Sequence, residues 1–298
     1  EEVAVLDNVT GGRLEVGLTT GVTFDEFRVY SADWDNRSPR AAEALELLDQ
    51  AFTRGRLPVV SEKSVPVADA LEAFDFEGRF QRYEEVRISV DPIQKPHPPF
   101  WLVSLSPDNL ALSLKYGADT AYLFFRPRAE ANERLRPWIQ QWLEHGHGRD
   151  PRIMYETLVY VDETDAQAID KGRDLILSSM HEIYGGALGG GGTALAEVLE
   201  KAGDPGQAEI RRHMFDYEYL IDKSLVFVGS PVTVAEKLGE AARQGLFNVF
   251  AGEFNVGHIG EEDLMRSIRL FGETVIPALK DLDPVGELTG GHGVDGRQ

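Results

Sequence analysis

Apolar residues recur along this chain in two different rhythms. Val3, Leu6 and Val9 return at helical spacing, and Gly11-Gly12 then ends that helix as glycines past a C-terminus do. Residues 13–18 alternate as a strand, and residues 19–35 carry no helical period. Pro39 marks the start of a helix over 41–52, rich in Ala, Leu and Glu. A loop-rich insert over 53–74 precedes a hairpin over 76–90 around Gly78. Short apolar runs at 100–104, 120–125, 153–161, 225–228 and 248–254 read as strands, the first of them of the kind buried on both faces. Helices are predicted between and after them, over 107–115, 128–145, 165–184, 194–201, 232–244 and 261–280. Gly185 to Gly192 is a glycine-dense break, read as a mobile loop, and a polar, aromatic stretch runs on to Asp222.

Strand and helix thus alternate almost throughout, which predicts a parallel α/β protein with crossover helices. A doubly wound sheet and a barrel both satisfy that alternation. A doubly wound dinucleotide fold places G-x-G-x-x-G between its first strand and helix, and no such junction is present here. The barrel is therefore preferred. We expect one domain over residues 1–285, with an insertion at about 185–222, and a Gly-rich flexible tail over 286–298.

Composition narrows the partners. The net charge of −20 would repel nucleic acid and anionic lipid, so any anionic ligand needs locally placed cations. With no cysteine, disulfides, thiolate metal sites and cysteine nucleophiles are excluded. No apolar run approaches the ~18 residues of a membrane span, and a cytoplasmic location is expected. No carboxylate–histidine cluster has metal spacing, so no metal is expected.

A family resemblance enters through several segments together. Residues 1–17 (EEVAVLDNVTGGRLEVG) resemble the E-x-x-x-x-L-D-x-x-S-x-G-R-x-x-x-G segment of bacterial-luciferase-like, flavin-dependent monooxygenases. Phe27-Arg28-Val29-Tyr30, then Asp33-Trp34-Asp35-Asn36 and Arg40, are similar to the alkanal monooxygenase α branch, as are Pro99-Phe100-Trp101-Leu102-Val103 and Ser106. Asp216-Tyr217-Glu218-Tyr219, Val228-Gly229-Ser230-Pro231, Ser267-Ile268-Arg269-Leu270-Phe271 and Val275-Ile276-Pro277 continue the likeness in order and spacing, up to about Lys280. The resemblance implies a TIM (β/α)8 barrel that begins after the family's third strand, lacking its first three strand–helix units, or roughly 90 residues. The family's catalytic histidine follows its second strand and has no counterpart among the seven histidines here, so this piece alone is expected to be inactive.

The resemblance also assigns roles. It implies reduced FMN as cofactor, O2 and a small organic molecule such as an aldehyde as substrates, a separate flavin reductase and a homo- or heterodimer. Arg40 falls at the phosphate-binding arginine, with Arg37 a near competitor; the plain alternative is a surface arginine countering Glu43. Leu105, Ser106 and Asn109 fall at the phosphate loop, where free N–H groups at a helix start suit a phosphate. Ser106 and Asn109 are equally read as ordinary helix caps, and Asp108 would repel a phosphate. Thr19 falls at the flavin's reactive edge. Thr20 stands where the family has a phosphate-facing arginine. Glu253 and Asn255 either orient substrate or cap the following helix; Tyr217 and Tyr219 either lie by the lid or pack as strand residues. His145 and His147 read as helix C-terminal caps. Two other functions stay open: F420-dependent hydride transfer on the same barrel, and a non-catalytic flavin-binding partner subunit.

Overall fold

Seventeen residues rich in Ala, Leu and Glu after Asn36, and nine after Arg152, become a long helix and the longest strand among the described residues. The computed structural model describes residues 1–21, 24–54, 73–182 and 192–291. Its chain forms two units, Glu1–Asp119 and Thr120–Gln298.

In the first unit, α1 (Glu2–Thr10) ends on Gly11 and Gly12, whose positive φ angles of 67° and 76° only glycine adopts readily. Asp7 of α1 is fully buried; its carboxylate accepts the Gln94 backbone N–H at 2.9 Å and the Gln94 side-chain amide at 2.7 Å. Strand β1 (Val16–Leu18) follows, then α2 (Phe24–Val29) and α3 (Arg37–Thr53). The short α2 corrects the expectation that 19–35 is non-helical: six residues are too few to display a period. Pro39 fits the first turn of α3 because its missing N–H has no partner there anyway. Strands β2 (Phe74–Glu77) and β3 (Arg82–Val86) form the antiparallel hairpin, with Phe74 and Phe76 buried and Asp75 and Glu77 exposed. Then come β4 (Phe100–Val103) and α4 (Pro107–Tyr116), the latter closed by Gly117 at φ 60°. Strand β1 pairs in parallel with β4, Val16 opposite Phe100 and Leu18 opposite Leu102. Helix α3 covers one face of that pair through Leu45 and Phe52. The ring of Phe52, near the end of α3, lies 6.4 Å from that of Phe100 at the start of β4. The helix therefore runs antiparallel to the strands, and its first turn lies at their C-terminal ends.

The second unit begins with β5 (Asp119–Leu123), α5 (Arg128–His145), β6 (Ile153–Val161) and α6 (Asp165–Met180). Helix α7 (Gly192–Lys201) follows the expected glycine break, of which 185–191 lie outside the described residues. The polar stretch after it is helical, not irregular: α8 (Pro205–Arg212) is capped by Asp204 and α9 (Tyr217–Asp222) by Asp216. Strand β7 (Phe227–Gly229), α10 (Pro231–Gly245) and β8 (Val249–Glu253) come next. A last long helix consists of α11 (Glu261–Leu270), a π-helical turn (Phe271–Val275) and α12 (Ile276–Leu279). The π turn sits just before Pro277, which can neither donate to the preceding turn nor avoid its carbonyl in regular α geometry. Gly286–Thr289, expected in the frayed tail, form the one-turn helix α13 over the buried Val285. Strand β6 is the hub, pairing in parallel with β5, β7 and β8. Tyr122, Tyr155, Phe247 and Phe250 pack as a chain of rings, with centroid separations of 5.1 Å for Tyr122–Tyr155 and 4.8 Å for Tyr155–Phe247. No helix among the described residues is long and apolar enough to cross a membrane.

Candidate functional site

In parallel α/β sheets ligands settle at the C-terminal ends of strands, where loops and helix N-termini converge. The β1–β4 register puts two of the sequence-selected segments at such an end together. Thr19 and Thr20 leave β1 directly beside the exit of β4 into Ser104, Leu105 and Ser106. Val16 and Leu18 face the helix layer, so Gly17, and Thr19 by the same alternation, belong to the opposite face. A Cβ at Gly17 would meet nothing within 4 Å, and Thr19 is exposed; a flat ring can approach the backbone there. On the same face Trp101 donates its indole N–H to Glu15 Oε2 at 2.6 Å.

Ser106 caps α4, its Oγ accepting the Asn109 N–H at 3.4 Å, and its own N–H donates to Ser104 Oγ at 3.1 Å. The long capping bond and the half-buried Asn109 side chain leave donors at this helix start for an anion. Leu105 is 3% exposed, so it offers a ligand only its backbone. Asp108 is exposed in the first turn, where it balances the helix dipole.

Arg40 stands in the first turns of α3, at the same strand ends. It does not counter Glu43. The Glu43 carboxylate instead accepts three consecutive N–H groups of the hairpin turn, from Arg79 at 2.6 Å, Phe80 at 3.0 Å and Gln81 at 2.7 Å. Gly78 is required for this: a Cβ there would sit 2.4 Å from the Glu43 carboxyl carbon. Arg40 is exposed, its guanidinium carbon 5.2 Å from the centre of the Phe80 ring. Arg37 is turned away from this role, stacked 4.0 Å over Trp34 and donating to the Trp34 carbonyl at 2.9 Å. A groove of about 480 Å³ opens between α3, the hairpin and α4, but no residue of β1 or β4 lines it. Glu43, Glu46, Asp75 and Glu77 among its walls make it hostile to phosphate.

In the second unit Glu253 ends β8, opposite Leu158 of β6. The same register puts Glu156, opposite Ala251, on the same sheet face as Glu253. Burial pushes both carboxyls above the ordinary range, and for Glu156 the neighbouring Glu253 adds repulsion. Glu156 escaped the sequence reading, although a lone acid inside the run Ile153–Val161 is a visible signal. Neither Glu253 nor the exposed Asn255 caps the next helix, whose N-cap is Gly260 without a side-chain bond. Tyr217 and Tyr219 lie on a helix, not a strand. Tyr217 is buried, donates its hydroxyl to the Ile169 carbonyl at 3.0 Å and carries Arg173 over its ring, and burial pushes its pKa up to about 12. Tyr219 stacks on His213 at 4.5 Å. His145 reaches the Gln141 carbonyl at 2.8 Å near the end of α5, whereas His147 packs 4.4 Å from Trp142. No group of three or more metal-ligating side chains occurs among the described residues.

Comparison with known proteins adds a family. The pattern described as luciferase-like monooxygenase matches residues 1–247. An uncharacterised protein of Sinorhizobium fredii is 28% identical over 121 residues, covering 41% of this chain and 30% of that protein. The alkanal monooxygenase alpha chain of the Kryptophanaron alfredi symbiont is 20% identical over 292 residues, covering 94% of this chain and 74% of its own. Among solved structures, the monooxygenase RslO1 of Streptomyces bottropensis superposes with a TM-score of 0.67 at 20% identity, covering 93% of this chain and 72% of that one. The oxygenating constituent of 3,6-diketocamphane monooxygenase from Pseudomonas putida, solved in complex with FMN, gives 0.66 at 16% identity, covering 93% and 74%. The coenzyme F420-dependent tetrahydromethanopterin reductase of Methanopyrus kandleri gives 0.57 at 17% identity, covering 92% and 77%. These likenesses establish a shared fold.

Proposed function

The chain belongs to the luciferase-like monooxygenase family, and on that premise we propose that it holds reduced FMN at the C-terminal ends of β1 and β4 and oxygenates a small organic substrate, an aldehyde or similar compound. The observation that carries this reading is the β1–β4 register, which brings Thr19–Thr20 and Ser104–Ser106 to one edge beside the open face of Gly17. The donor set fits the cofactor: hydroxyl and amide donors with one arginine for a phosphate, and a bare strand face for a flat ring. Bound there, reduced FMN would supply the electrons that activate O2, one oxygen atom entering the substrate and the other leaving as water.

The chain's own residues orient and shield. Arg40, Ser106, Asn109 and the Leu105 backbone hold the phosphate end. Thr19 presents its hydroxyl to the ring edge, and Thr20 adds a neutral donor. We read residues 1–285 as one domain of (β/α)8 type, cytoplasmic and dimeric, supplied with reduced flavin by a separate reductase. Titration of the protein with FMN, reduced FMN and F420 under argon, followed by turnover of an aldehyde series under isotope-labelled O2, tests the reading. Preference for reduced FMN with label in the product supports it; unlabelled product or no flavin binding removes it.

Thr20 favours a second reading, because a neutral residue there weakens the grip on a terminal phosphate. The same fold occurs in an F420-dependent enzyme. Tighter binding of F420 than of FMN, with hydride transfer and no O2 consumption, decides for that alternative.

A further inference from the structure

We propose that Glu15 is a positioning residue whose carboxylate draws the Trp101 indole off the backbone of Gly17 and so keeps that strand face open to a flat ring. The inference rests on the flavin reading above and adds to it a residue that does not itself hold the cofactor. Strand β1 pairs with β4 and, among the described residues, with no other strand, so Gly17 lies on a sheet edge. Trp101 is its partner directly across the ladder, with the side chain on the face opposite the helix layer. An aromatic ring across from an edge glycine tends to fold over it, covering backbone that has no side chain of its own. Here it does not. A Cβ at Gly17 would meet nothing within 4 Å, and Gly17 is exposed although Trp101 is only 5% exposed.

The hydrogen bond of the indole explains the gap. Glu15 precedes Gly17 by two residues and therefore shares its face, one pleat nearer the N-terminal end of the strand. Trp101 Nε1 donates to Glu15 Oε2 at 2.6 Å, a short bond to a carboxylate. The bond points the ring toward Glu15 and away from Thr19 and Ser104, which lie in the opposite direction along the strands. Without that acceptor the indole N–H loses this anchor, and the apolar ring gains by covering Gly17. The two positions compete for one ring, so the share of protein open to a ligand follows the strength of the bond.

The test compares the affinities of the whole protein for FMN and for riboflavin, which lacks the phosphate, by flavin fluorescence. Glu15→Leu is expected to weaken both by the same factor, about tenfold, because access for the ring is lost and not the grip on phosphate. Glu15→Gln should lose less than about threefold, since its carbonyl still accepts the indole N–H. Adding Trp101→Leu to Glu15→Leu should restore most of the affinity. If Glu15 served stability alone, that double variant would bind more weakly still. Nuclear magnetic resonance of the ligand-free, glycine-labelled proteins reads the indole directly. The Gly17 α-protons should shift upfield in Glu15→Leu, under the ring, and keep their wild-type position in the double variant. A Gly17 signal that does not move in Glu15→Leu overturns the proposal while leaving the flavin reading intact, as does a folded double variant that binds no better than the single one. Thermal melting shows whether the double variant folds; where it does not, the Gly17 signal of Glu15→Leu decides. Wild-type protein that binds neither flavin removes the flavin reading, and the same signal still decides whether Glu15 holds the indole.

Discussion

Replacing Glu43 by alanine removes the carboxylate that accepts three N–H groups of the hairpin turn and ties it to α3. Its two carboxylate oxygens accept the Arg79 N–H at 2.6 Å, the Gln81 N–H at 2.7 Å and the Phe80 N–H at 3.0 Å and 3.1 Å. A hydrogen bond to a charged group contributes about 1.5–3 kcal/mol net. Three donors share two oxygens here, and the Arg79 contact is solvent-exposed, so the set is worth about one full-strength bond. We expect Glu43→Ala to destabilise the protein by about 2–3 kcal/mol, lowering Tm by roughly 5 °C for a chain of this size. Glu43→Gln should lose at least half as much, because one end of the amide is itself a donor facing N–H groups. Gly78→Ala should act like a mild version of both, since its Cβ would sit 2.4 Å from the Glu43 carboxyl carbon. Urea unfolding followed by circular dichroism gives the stability change, and amide hydrogen exchange reads the hairpin turn directly. A Glu43→Ala protein within about 0.5 kcal/mol of wild type, with unchanged exchange at 79–81, would refute the reasoning.

Other substitutions probe the second unit. Glu156 and Glu253 both have raised pKa values, so the folded state prefers them protonated and loses stability as pH rises from the ordinary value of 4.5 through the raised ones. Glu156→Gln should therefore match wild type in Tm below the ordinary value of 4.5, exceed it by a margin that grows as pH rises through the raised pKa, and keep a constant margin above that; a margin independent of pH throughout would contradict the shift. Gly245→Ala brings a Cβ to 2.1 Å from the Tyr122 hydroxyl, whose ring is only 2% exposed and cannot swing away. A loss of about 2 kcal/mol or more is expected, and Tyr122→Phe in the same protein should recover most of it by removing the clashing oxygen. Without that rescue in thermal melts the clash is not the cause. Asp162 shows the opposite sign to Glu156. Burial opposes its charge, but the Glu163 N–H, Arg266 and the Tyr160 hydroxyl together hold its pKa below the ordinary 3.8. That stability is present above 3.8 and fades as pH falls through the depressed value. Arg266→Ala, which removes a partner 3.1 Å from Asp162, should cost about 2 kcal/mol at neutral pH and progressively less in acid; an equal cost at both would count against the ion pair.

Local pattern accounts for much of the fold. The helix Arg128–His145 and the strand Ile153–Val161 are legible to the residue, because Gly146 in left-handed geometry stops the one and an apolar run interrupted only by Glu156 and Thr157 defines the other. Helix α2 escaped because six residues show no period. The helices at Pro205–Arg212 and Tyr217–Asp222 escaped despite a real signal, an aspartate N-cap before each. Tyr217 and Tyr219 at alternate positions mimic a strand pattern and mask it. The order of the strands was not legible at all. That β6 pairs with β8 as well as with β7 depends on long-range packing that no local propensity encodes.

The site divides along the same line. Residue type and spacing, read through a family pattern, were enough to select Arg40, Thr19, Ser106 and Asn109, because those segments keep their order along the chain. Only the β1–β4 register places Thr19 and Ser106 at one strand edge, since parallel pairing joins residues more than 80 positions apart. Glu43 illustrates the limit most directly. In sequence it is a helix-surface acid three residues from Arg40, an obvious partner for it. In the fold three N–H groups from 36–38 residues away reach its carboxylate, and Arg40 turns to an aromatic ring. Sequence by itself determined most of the element types, the parallel α/β class and the family. Tertiary structure decided which charges meet, because hydrogen bonding and ion pairing depend on distance in space and not on distance along the chain.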